Sequence, residues 1–149
     1  MVECLVWDQD VAGLSPVVPT LYFINMLDIF YFDCVIYPVI VVITIGDKLT
    51  CLDKTFTDYD GNSLGFSDSE FENSKALTYT AKRKKDNNFC VIISFEDKNS
   101  FTYKTVAHEA VHAAKEIFSF INADINPHEP FEYLVGYIAQ CCDNSLKNI

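Results

Sequence analysis

His108-Glu109-Ala110-Val111-His112 sets two imidazoles four residues apart with a carboxylate between them. On a helix such residues lie about 40° apart around the axis, so both rings project from one face and can share one metal ion. Glu109 is turned by about 100°, beside the open coordination position, where a carboxylate can take a proton from bound water. The chain contains three His, and two of them stand in this motif. Shuffling the composition would give the pattern about once in 500 chains, so a metal site is the working expectation. The flanking Thr105, Val106, Ala107, Ala113 and Ala114 carry no charge and no proline, as a helix set against a core requires. The bland alternative is two solvent-facing imidazoles and an ordinary surface glutamate.

The motif needs a helix, and the flanking residues supply one. Val106, Ala110, Ala113, Ile117 and Ile121 form a core-facing stripe, which predicts a helix starting between Ser100 and Thr105 and ending near Asn122. A second helix is expected from Asn126-Pro127 or Glu129-Pro130, running through Phe131, Leu134, Val135, Ile138 and Cys142. Ahead of these lies a β-hairpin, with Leu77 to Lys82 and Phe89 to Phe95 flanking the polar tip Lys82-Arg83-Lys84-Lys85-Asp86-Asn87-Asn88. The cations there read as a solvated tip before they read as an anion site.

Further upstream, Val35 to Ile45 is rich in β-branched residues and reads as a buried strand with Pro38 at its start. Cys4 to Trp7 reads as a first strand. Leu21 to Phe32 is apolar at nearly every position and is read as a helix. Residues 53–75 are polar and turn-rich, a surface segment with at most one small element.

Composition narrows the function classes. The chain has 149 residues, a net charge of −10 and half its residues apolar, which fits one domain with a real core and excludes disorder. A pI near 4.5 argues against nucleic acid as a partner. Residues 1–47 carry six acids and no Lys or Arg, so no secretory leader is expected. The apolar run Cys34–Ile45 is too short to span a membrane as a helix. Residues 17–45 are expected in the core, with part of that apolar surface available to a protein partner. The six Cys are scattered and contain no Cys-x-x-Cys pair, so reduced thiols in a cytoplasmic setting are expected.

The motif and its surroundings resemble the zinc-binding helix of the zincin metallopeptidases. The resemblance covers about 60 residues, from Phe89 onwards, and rests on His108-Glu109-x-x-His112 following strands and preceding a second helix. It implies an α+β fold in a single zincin-like domain over residues 1–149, with an antiparallel or mixed sheet, then the active-site helix, then a C-terminal helix. The last strand before the helix would border the substrate cleft. The chain also resembles small proteins of tailed bacteriophages that end in a comparable motif helix and a Glu-aromatic-Tyr-Leu helix. That likeness places it in the host cytoplasm or the virion.

The resemblance further implies Zn2+ held by His108, His112 and a third ligand. A metzincin would need Gly at position 115 and His at 118, but Lys115 and Phe118 stand there. A gluzincin-like arrangement takes a Glu from the next helix. Glu129 is favoured, with Glu132 and His128 as alternatives, and the chain departs from the pattern in having Pro130 directly after Glu129. Glu129 is also spaced to close a capping box with Asn126. Tyr133 and Tyr137 are candidate donors to an oxyanion, and Asp124 and Asn122 candidate partners for a ligand imidazole, though packing and loop capping explain each as well.

The expected activity is therefore zinc-dependent peptide-bond hydrolysis with Glu109 as the catalytic base and a peptide or protein as substrate. An extended peptide would add to the edge formed by Phe89–Phe95. The rival expectation is a catalytically silent zincin-fold binding or structural protein, such as a phage particle component.

Overall fold

The computed structural model describes residues 6–10 as a strand, and residues 27–67, 69–126 and 128–149. Among the described residues six strands form one mixed sheet: β1 (Val6–Asp10), β2 (Leu27–Cys34), β3 (Val39–Ile45), β4 (Phe56–Thr57), β5 (Ala76–Arg83) and β6 (Phe89–Phe95), in the spatial order β1-β2-β3-β6-β5-β4. Two helices follow, α1 (Tyr103–Phe120) and α2 (His128–Lys147), so the fold is α+β with strands first, as expected.

β3 and β6 lie at the centre and pair in parallel, with Ile43 opposite Ile93. All seven residues of each are buried, because both faces of the sheet are covered. Val41, Ile43, Val91 and Ile93 pack under Ala110, Ala113, Ala114 and Ile117 of α1 and Leu134 and Ile138 of α2. On the opposite face Val42 and Ile92 meet Leu49, Leu52, Phe56 and Phe71, from the short 3-10 turn Leu49–Lys54 and the segment after it. Full burial of such a side chain contributes about 1.5–3 kcal/mol, so this double cover dominates the stability of the sheet.

That cover overturns one expectation. Leu27–Cys34 is a strand, not a helix, pairing antiparallel with β3 from Asp28 opposite Ile45 to Cys34 opposite Val39. A strand apolar on both faces loses the two-residue period that would mark it. Residues 21–26 of that expected helix lie outside the described residues, as do residues 1–5, while the first strand runs over Val6–Asp10. Val35 to Pro38 form the turn of the β2–β3 hairpin, where the Tyr37 N–H donates to the Cys34 carbonyl at 3.0 Å.

A second expectation also changes. Phe89–Phe95 is no edge, since β3 and β5 occupy both of its sides. Its apolar run, interrupted by the hydrogen-bonded Ser94, suits the centre of a two-sided sheet. The edge nearest the helix motif belongs to β5. Among the described residues β4 pairs only with Lys82 and Arg83, which leaves Ala76–Ala81 without a strand on that side.

The hairpin β5–β6 has the expected strands, and three of the four cations at its tip are held by partners within the protein. Arg83 pairs with Asp86, and Lys82 and Lys84 donate to the carbonyls of Tyr59 and Asp53. Cys34, Cys90, Cys141 and Cys142 are free and buried, whereas Cys51 is disulfide-bonded, a departure from the reduced state expected of all six. Among the described residues no helix is long and apolar enough to cross a membrane.

Candidate metal centre

The segment between β6 and α1 fixes where the motif helix starts. Asp97 accepts from the Ser100 N–H at 2.9 Å and its hydroxyl at 2.8 Å, closing a tight turn. These bonds hold the Asp97 carboxyl below its usual range. Phe101 stacks on Phe95 at 3.8 Å between ring centroids, and Thr102 then caps α1 by accepting from the Thr105 N–H. At the far end Asn122 adopts φ 54°, and the Ala123 N–H returns to the Phe118 carbonyl, which ends the helix.

Small side chains seat α1 closely on the sheet. Ala110, Ala113, Ala114 and Ile117 are buried, and at about 100° per residue they define one face. His108 and His112 fall on the roughly opposite face, exposed to solvent. Their Nε2 atoms stand 3.0 Å apart, with ring planes at 73°. Two nitrogens bound to one tetrahedral Zn2+ at 2.0–2.1 Å would be separated by about 3.3 Å. The pair therefore fits two ligand positions of a single ion with a shift of a few tenths of an ångström.

Glu109 points elsewhere. It is 7% exposed and turned towards β5, where Thr78 Oγ1 donates to its Oε2 at 2.6 Å. No ion pair reaches it among the described residues. Sequence reasoning did not single out Thr78. The alternation of β5 puts Ala76 and Thr78 on the helix side and Tyr79 and Ala81 on the other, but nothing local says which helical residue Thr78 will meet.

The remaining candidates are not gathered around the histidines. Glu129 and Glu132 are exposed in the opening turns of α2, and the side chain of His128 lies outside the described residues. Among the described residues no three of His, Cys, Asp or Glu are grouped as metal ligands. Asn126 donates its N–H and its side-chain amide to Asp124 Oδ1, so Asp124 serves the loop. The Tyr137 hydroxyl donates to the Asp33 carbonyl at 2.8 Å and ties α2 to the β2–β3 hairpin. Tyr133 is 75% exposed. A half-open groove of about 640 Å³ between the start of α1 and α2, floored by Phe101, Val106, Gly136 and Ala139, does not include the motif residues.

The chain matches no protein-family model, no curated protein and no solved structure. Any functional reading therefore rests on the residues themselves.

Proposed function

We propose that the chain is a zinc-dependent metallopeptidase of gluzincin type. The observation that carries this reading is the His108–His112 pair, two exposed imidazoles with Nε2 atoms 3.0 Å apart, with Glu109 between them in sequence and its carboxylate turned towards β5. His108, His112 and Glu129 would hold Zn2+, which when bound supplies a Lewis acid and brings the pKa of a water towards about 7. Glu109 would accept the proton of the attacking water and pass it to the leaving amine. The edge of β5 at Ala76–Ala81, which no strand covers among the described residues, suits an extended peptide whose backbone would pair with it. That edge replaces Phe89–Phe95 in this role.

The test is Glu109→Gln. A base that is not a ligand can be removed with the ion still bound, so the variant should keep its zinc and lose hydrolysis of a mixed peptide library by about 100-fold or more. Zinc loss in the variant, or cleavage at the wild-type rate, overturns the assignment. Zinc binding without hydrolysis by the wild type favours the silent, structural reading.

A further inference from the structure

We propose that Thr78 is the positioning residue for Glu109, holding its carboxylate in the orientation from which it works as a base. This rests on the peptidase reading and adds to it a residue outside the motif. Glu109 is the buried member of the motif, and a carboxylate taken out of water needs donors. Thr78 Oγ1 stands 2.6 Å from Glu109 Oε2 and 3.4 Å from the Glu109 carbonyl oxygen. A hydroxyl has one proton, and the shorter contact assigns it to the carboxylate.

The arrangement constrains one oxygen and leaves the other. Oε2 is tethered to β5, so rotation of the carboxylate about its last bond is restrained, while Oε1 has no hydrogen-bond partner among the described residues and keeps its lone pairs for a proton. Threonine suits the task because its branched Cβ allows few χ1 states. Thr78 is also held in register, paired with Ile93 of the central strand β6. The tether therefore transmits the position of the sheet to the motif. An anchor on a strand fixes a reacting group more tightly than one on a loop.

A merely structural bond and a positioning bond are separable by experiment. Thr78→Val removes the hydroxyl and nearly keeps the volume, and Thr78→Ser restores the hydroxyl without the methyl. On the internally quenched peptide that wild type cleaves fastest, Thr78→Val should lower kcat about 10- to 100-fold, with KM and zinc content unchanged. Thr78→Ser should recover most of that loss. Wild-type kcat in Thr78→Val overturns the proposal and leaves the peptidase reading standing, and so does a Thr78→Ser no faster than Thr78→Val. If wild type binds zinc and cleaves nothing, the peptidase reading falls, and a readout without turnover decides the contact. Thr78→Val should then lower the thermal midpoint in the wild-type background but not in a Glu109→Met background. Equal lowering in both shows that Thr78 does not hold Glu109 and overturns the proposal.

Discussion

His108 and His112 face each other across one turn of α1 with their Nε2 atoms 3.0 Å apart, on the side of the helix turned away from the sheet. Nothing in the core depends on these two rings. Replacing both by Ala should therefore leave the apo fold intact and abolish metal uptake. Wild type is expected to carry about one zinc per chain and to lose thermal stability when a chelator is added, since an ion that binds only the folded state stabilises it. The double variant should show neither effect. Equal zinc content in the two proteins, by elemental analysis, would count against the site.

The third ligand is tested by comparing Glu129 with Glu132. Both lie exposed near the start of α2. Glu129→Ala should weaken zinc retention in a competition titration far more than Glu132→Ala, because losing a ligand undoes coordination and losing a surface charge costs little. The reverse order moves the ligand to Glu132. No loss in either directs the search to His128.

Across the centre of the sheet, away from the helices, three hydroxyls form a short chain. Thr44 Oγ1 donates to Ser94 Oγ at 2.6 Å, and the Tyr79 hydroxyl lies 2.7 Å from the same oxygen. Ser94→Ala would strand two polar groups at once, whereas Tyr79→Phe leaves Thr44 and Ser94 bonded to each other. Urea unfolding should show a loss of about 2 kcal/mol or more for Ser94→Ala and about 1 kcal/mol for Tyr79→Phe. Equal losses would mean that Ser94 is not the shared partner.

Burial pushes the thiols of Cys90, Cys141 and Cys142 up to about 12. At pH 8 a thiol of that kind is ionised in about one molecule in ten thousand, and the thiolate is the reactive form. Iodoacetamide at that pH should leave all three unmodified in the native protein and alkylate them once it is unfolded. Modification of any of them in the folded state, read by mass spectrometry of the digest, would contradict the packing.

What was legible beforehand follows from how local each cause is. The span of α1 is written in its 3.6-residue stripe, and the β5–β6 hairpin in two strand-like runs flanking a Lys-rich tip. Leu27–Cys34 was misread because two covered faces leave only Asp28 and Asp33 polar, and two residues five apart carry no two-residue period. The same cover hid the interior position of Phe89–Phe95. At the site, the His pair was legible because a single helical turn creates it. Thr78 was not, since its meeting with Glu109 depends on how a helix seats over a strand 31 residues away in sequence.

That contrast bears on how the molecule assembles. β3 and β6 are parallel neighbours, and Thr44 and Ser94 meet across 50 residues of chain. A contact of that span closes slowly, because the loop entropy is lost before the packing repays it. One turn of helix, although marginal alone, samples its form within microseconds. If the two imidazoles bind zinc as proposed, a nascent α1 would meet the cation before any sheet exists, and a captured cation would favour the helical form. Glu109 finds Thr78 only after α1 has docked on a finished β5. On the proposed reading, the order of assembly would separate capture of an ion from readiness to use it, and a half-folded chain would be loaded while its carboxylate is still unanchored.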